Sequence, residues 1–234
     1  MGRNRAIKNM FREQLKWASW LLLILLFLRA GHYLLYFLLP DAELMLSPFV
    51  EASHQPAKIY MLITGILTVF IFLELFVRHG QTRKLFVAGS AAVSFFISGL
   101  LAAAVYIMTV IGYFLLSLFD LQTVLTASFP FEGEAARITG FFVFALTIWF
   151  YYIIGLLIAG AFYRFGGAIG AGFVVFGVVL LFAENYLWAS DTFLTGLQPL
   201  NLPAGIILLL ITGAAFFILT AAFLTLKDIR IKTK

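Results

Sequence analysis

Seven residues, Arg78-His79-Gly80-Gln81-Thr82-Arg83-Lys84, separate two apolar runs that are each long enough to cross a bilayer. Three fixed positive charges cannot rest in hydrocarbon, and short basic loops stay on the cytoplasmic side of a membrane. A chain built around such a turn has one way up, and the turn sets it. Hydrophobic residues make up 63% of the 234 and charged residues only 12%, against the ~25% typical of a soluble domain. A soluble surface has to be polar. The composition therefore predicts an all-α integral membrane protein, with residues 1–234 forming a single transmembrane domain.

The apolar runs predict six spans at about 17–39, 59–77, 85–117, 138–163, 168–188 and 205–226. Before the first, residues 3–16 carry Ile7, Met10, Phe11 and Leu15 at helical spacing, with Arg5, Lys8, Arg12, Glu13 and Lys16 between them. That pattern predicts an amphipathic helix lying in the membrane interface, although a plain charged flank would also fix orientation. The stretch 40–57 holds Asp41, Glu43, Glu51 and three prolines and reads as an outer loop. From Leu85 to Phe119 the apolar run lasts 35 residues, longer than one ordinary span. Cutting it in two would strand the acidic segment 120–134 on the basic side, so one crossing is expected, continuing past the bilayer or bending near Gly112. The first span is longer than a signal-peptide core and no Ala-x-Ala-like site follows it, so it is expected to be retained. Ala6 stands where a myristoylation signal requires Ser or Thr.

Charge placement tests the layout. With both termini and the turns 78–84 and 164–167 inside, every one of the 16 basic residues except Arg29, Lys58 and Arg137 lies on the cytoplasmic side. Asp41, Glu43, Glu51, Asp120, Glu132, Glu134 and Asp191 fall on the other. This is a strong positive-inside bias, and it puts both termini in the cytoplasm of a multi-pass plasma-membrane protein. The net charge of +5 sits at segment ends rather than in a stripe, which argues against nucleic acid.

Few residues offer chemistry. There are no cysteines, and His32, His54 and His79 share no metal-ligand spacing. No G-x-x-x-x-G-K-[ST], H-E-x-x-H or G-x-S-x-G motif occurs, so neither ATP hydrolysis by a phosphate-binding loop nor a familiar hydrolase site is expected. Arg29, Glu74 and Glu184 lie within predicted spans, where ionisable groups normally face protein or a polar cavity. Arg29 is about 16 Å inward from Pro40 and Glu184 about 10 Å inward from Asp191, so the two could pair; each could also reach its nearer boundary alone. Glu74 stands four residues before Arg78, the spacing of a helical ion pair. Ser90, Ser94 and Ser98 share one helix face, flanked by Gly89 and Gly99, and are expected to serve close helix packing. No matching pair of Gly- or Pro-broken helices suggests an inverted-repeat carrier.

Two stretches carry a family resemblance. Gly80-Gln81-Thr82-Arg83-Lys84-Leu85-Phe86-Val87-Ala88-Gly89-Ser90 resembles the turn joining the second and third spans in small ABC-2-type, type V exporter-like permease subunits of Gram-positive bacteria. Gly155-Leu156-Leu157-Ile158-Ala159-Gly160-Ala161-Phe162-Tyr163-Arg164-Phe165-Gly166 is similar to the run those permeases carry into their fifth span. The resemblance implies a permease that dimerises, with itself or a close paralogue, and docks a separate cytoplasmic ABC ATPase. The partner would bind ATP and Mg, and this chain would hold no cofactor. Arg78, Gly80, Thr82, Arg83, Lys84 and Phe86 would form the coupling element, with the 3–16 helix beside it. The cargo would be amphipathic, such as a peptide, an antimicrobial or a lipid. A different kind of polytopic protein, an ion-coupled carrier or an immunity or scaffold factor, is the alternative.

Overall fold

A computed structural model describes residues 3–38, 48–118, 134–188 and 212–221 without 216, 217 and 219, and every long element in it is an α-helix. Among the described residues, five helices are long and apolar enough to cross a membrane. Helix α1 is Arg3–Leu38 and α2 is Phe49–Arg78, the latter with a π-helical turn at Val69–Leu73. Helices α3, Arg83–Leu118, α4, Glu134–Phe165, and α5, Gly167–Trp188, complete the set. The expected sixth span lies largely outside the described residues; of the part described, Ala215 and Ile218 are buried. The acidic segment 120–133 also lies outside them.

Two expectations change. Residues 3–16 do not form a separate surface helix, because α1 runs through them without a break. No Gly or Pro interrupts residues 3–30, so the backbone has no reason to turn where the charges stop. The buried positions are Ala6, Met10, Gln14 and Ala18, a four-residue repeat along one face, while Leu15 is exposed and Ile7 and Phe11 are half-buried. The stretch 48–57 is not loop either. Pro48, in extended conformation (φ −53°, ψ 148°), leads into α2, Glu51 occupies its first turn, and Pro56 sits inside it. A proline in a membrane-length helix is tolerated where neighbouring groups or local adjustment satisfy the freed backbone. The long apolar run is one continuous helix, α3, through Leu118.

Helix α4 is the hub. Of its most apolar stretch, 83% is buried, against 17% for α1 and α5. A helix apolar on every side belongs in the middle of a bundle, and α4 packs on α2, α3 and α5. It runs parallel to α2, and their backbones nearly touch. A Cβ on Gly65 would collide with the Tyr152 carbonyl and lie 3.1 Å from the Leu156 nitrogen. One on Gly155 would collide with the Leu62 carbonyl and lie 3.1 Å from the Ile66 nitrogen. Close approach of this kind is what small residues supply where lipid gives no hydrophobic drive. Helices α1 and α3 are also parallel: Gly89 faces Ile7 near one end, and Gly112 faces Tyr33 towards the other. The start of α1 and the turns between α2 and α3 and between α4 and α5 therefore share one end of the bundle. That end carries Arg5, Lys8, Arg12, Arg78, Arg83, Lys84 and Arg164 and is called the basic end below.

Candidate functional site

The turn at 78–84 is built from standard stop and start signals. Gly80 adopts φ 70°, a conformation that favours glycine. Its N–H donates to Val77 O at 2.9 Å and that of Gln81 donates to Phe76 O at 2.9 Å, the two bonds of a Schellman stop. Thr82 then opens α3: its Oγ1 accepts from the Leu85 N–H at 3.3 Å and its carbonyl from Phe86 N–H at 3.1 Å. Arg78 pairs with Glu74 at 2.5 Å, as the i,i+4 spacing predicts, with both side chains largely exposed. Lys84 is exposed and Arg83 half-buried. Phe86, the last residue of the expected coupling element, lies beneath the turn. It is fully buried, edge-on to Phe76 with centroids 5.5 Å apart, so it ties the start of α3 to the end of α2. The second turn, at Gly166 (φ 82°), is equally tight, and the Arg164 guanidinium lies over the Phe165 ring at 4.9 Å.

Inside the bundle, α4 carries three polar side chains that between them reach four neighbouring helices. Trp149 donates to Ser94 Oγ at 3.1 Å and to the Ala91 carbonyl at 3.3 Å, fastening α3. Ser90, Ser94 and Ser98 each donate to a carbonyl one turn back on α3, at 3.0, 3.0 and 2.8 Å. The serine face is thus satisfied within its own helix and buried against the hub, in a packing role. Tyr152 joins α1 and α2. Its hydroxyl donates to Thr68 Oγ1 at 3.1 Å and accepts from Gln14 Nε2 at 3.1 Å, and Gln14 also donates to Thr68 at 2.9 Å. Thr68 passes its own proton to the Thr64 carbonyl at 2.7 Å. This neutral layer lies about 15 Å from Arg78 along α2, immediately before the π-helical turn.

Tyr151 reaches the opposite way, to a charged cluster. Glu184 of α5 accepts from Lys58 Nζ at 3.2 and 3.1 Å through its two oxygens and from the Tyr151 hydroxyl at 3.0 Å. Lys58 and Glu184 are 1% and 2% exposed, and the Lys58 ammonium also lies 5.2 Å from the Tyr151 ring centroid. His54, one turn before Lys58, rests against Phe144 at 5.4 Å. The expected pairing of Glu184 with Arg29 is therefore replaced by one with Lys58. Arg29 is itself mostly buried, 4.8 Å over the Tyr33 ring, in a small pocket with Pro48, Phe49, Thr109 and Tyr113. Among the described residues no group of three or more metal-ligating side chains comes together.

Lys58, Tyr151, Gln14, Thr68 and Tyr152 escaped notice in the sequence. One signal did point to Lys58. It is one of three basic residues that the charge layout leaves off the basic end, and Glu184 is an acid embedded in an apolar run. Two misplaced opposite charges are natural partners. No family model, curated protein or solved structure matches this chain.

Proposed function

We propose that this chain is the membrane subunit of an ATP-binding cassette exporter. It would dimerise and couple to a separate ATPase through the 78–84 turn. In this reading it crosses the plasma membrane six times, with both termini and the basic end in the cytoplasm. The observation that carries the proposal is the construction of that turn. A Schellman stop, a threonine cap and the Phe76–Phe86 contact hold it rigid, and Lys84 and Arg78 stay exposed at its surface. A rigid basic knob at the junction of two long helices can seat in an acidic groove and move both helices as levers. The start of α1 packs beside it through Ile7 and Gly89, where an element flanking a docked partner would be. Phe86 acts from beneath by fixing the turn. ATP and Mg belong to the partner, and an amphipathic peptide, antimicrobial or lipid is the cargo class.

The test is Arg83→Glu with Lys84→Glu. Insertion should be normal, because neither side chain is part of the buried core and many basic residues remain at that end. Co-purification of an ABC ATPase from native membranes should fall about tenfold or more, as attraction turns to repulsion, and transport-linked ATP hydrolysis should fall with it. Normal insertion with unchanged co-purification and hydrolysis would end the coupling role of this turn. The Lys58–Glu184 pair favours a second reading, an ion-coupled carrier. Proteoliposomes of the chain alone, without ATPase, that collapse an imposed proton gradient only when Glu184 is intact would select it.

A further inference from the structure

We propose that the Lys58–Glu184 ion pair is a releasable latch: it holds the far end of α5 against α2, and α5 swings about the Gly166–Gly167 turn when the latch opens. The proposal concerns this chain alone and stands under either reading of its transport role.

Helix α5 is attached unevenly. Among the described residues it packs along α4, with no comparable contact to α1, α2 or α3. The α4 contact is closest at two glycines and is filled out by Phe173, Leu180 and Leu181, which pack against the buried core. A Cβ on Gly170 would press into the Phe162 ring, and one on Gly177 would come within 2.8 Å of Ile158 Cδ1. Packed helices accommodate a small shear when a few element-terminal residues act as the hinge. At the basic end, Gly166 and Gly167 are exposed, and nothing lies within 4 Å of where their side chains would be. At the far end, Glu184 reaches past α4 to Lys58 of α2.

The lever is long. Seventeen residues separate Gly167 from Glu184, about 25 Å of helix, so a rotation of about 10° moves the carboxylate about 4 Å. That is enough to break a contact of 3.1 Å. Tyr151 makes opening affordable. Its ring lies against the Lys58 ammonium, so Lys58 keeps a contact on the stationary α4 as the pair parts, while Glu184 leaves both Lys58 and the Tyr151 hydroxyl. A buried pair whose Coulombic gain roughly balances its desolvation cost is held in place by geometry more than by net energy, which suits a latch.

The chain contains no cysteine, so paired spin labels can be placed cleanly. Ile59→Cys with Phe182→Cys reports the far end, since both side chains are more than half exposed, at 55% and 58%. Leu75→Cys with Ile169→Cys reports the basic end. Distances are read by pulsed electron paramagnetic resonance in nanodiscs. With the latch intact the far-end pair should give one dominant distance. Glu184→Gln should make a longer far-end distance the major component and leave the basic-end pair unmoved. Exchanging the charges, Lys58→Glu with Glu184→Lys, should restore the short distance. An unchanged far-end distribution in Glu184→Gln overturns the latch. So does equal broadening at both ends, which would make the pair a general stabiliser. If the variants do not accumulate, the labelled parent decides. A latch predicts a minor long far-end component that grows on warming while the basic-end distance holds, and a single narrow far-end distance at every temperature overturns it.

Discussion

Tyr151 and Tyr152 are chain neighbours with the same side chain, and α4 sends them to opposite sides of the bundle. Tyr152 meets Gln14 and Thr68 in a layer without formal charge; Tyr151 meets Lys58 and Glu184. In the neutral layer most donors have an acceptor, and losing one member leaves hydroxyls or an amide able to bond each other. In the charged cluster, losing one member strands an ion in an apolar interior. The first is a forgiving fastener and the second an all-or-none one. The neutral layer joins α2 and α4, which already touch through backbone, and ties in α1, whereas the charged one joins α5 to a helix it otherwise barely meets. The charged contact stands where few others hold the two helices together.

The most damaging way to break this contrast is to destroy the frame both layers hang on. Gly155 lies between them, against the Leu62 backbone. Gly155→Leu should push α2 from α4, and neither helix can give way because the collision is with backbone. A cost above about 4 kcal/mol is expected, in the range reserved for such failures. Protein that reaches the membrane should unfold at much lower denaturant in micelles.

Next comes the charged cluster itself. Lys58→Leu or Glu184→Leu alone should each cost about 3–5 kcal/mol, because the remaining charge is buried without its counter-ion. The double change should recover most of that loss, since an apolar pair of similar volume roughly matches a buried ion pair. Reversible unfolding of all three variants measures this. Additive losses in the double variant would show that the two side chains act independently. Arg29→Leu should give Glu184→Leu no such rescue.

How far the sequence reveals this arrangement depends on which rule applies. The helices and both turns are legible, because apolar length, Gly80, Thr82 and basic residues at segment ends act locally. The Glu74–Arg78 pair is legible for the same reason. The interior is less so. In a soluble protein the bulky apolar residues of α1 would mark its buried face. In an apolar solvent they need not, and Leu15 faces out while Ala6, Gln14 and Ala18 face in. Small size and hydrogen bonding select the contact face there. Lys58 is hidden by Pro48 and Pro56, which suggest a loop although α2 begins at Phe49. Starting the helix ten residues earlier carries Lys58 from the boundary into the bundle. Glu184 is recognisable as misplaced, but its partner depends on how α2, α4 and α5 are placed, which no local pattern encodes.

The two tyrosines give a finer comparison. Tyr151→Phe removes a donor from a buried carboxylate, and hydrogen bonds to charged groups contribute about 1.5–3 kcal/mol. Tyr152→Phe removes a neutral hydroxyl, and Gln14 still reaches Thr68 at 2.9 Å; about 1 kcal/mol or less should be lost. Equal losses, measured side by side by unfolding in micelles, would erase the distinction between the layers.

The smallest effect should come from Gln14, although it is completely buried. Its Nε2 makes two hydrogen bonds, but its Oε1 is buried with no partner. An unsatisfied buried acceptor costs about 1–3 kcal/mol, close to what two neutral bonds return. Gln14→Met keeps length and flexibility and removes both the bonds and the orphaned oxygen. Tyr152 still donates to Thr68, and Thr68 still donates to the Thr64 carbonyl, so no donor is stranded. A net change within about 1 kcal/mol of zero, of either sign, is expected. Gln14→Glu keeps the shape and brings an ionisable group against the neutral Thr68 and Tyr152 hydroxyls, so it should cost several times more. If Gln14→Met were as harmful as Lys58→Leu, the neutral layer would not be the forgiving one, and some further group would have to depend on the Gln14 amide.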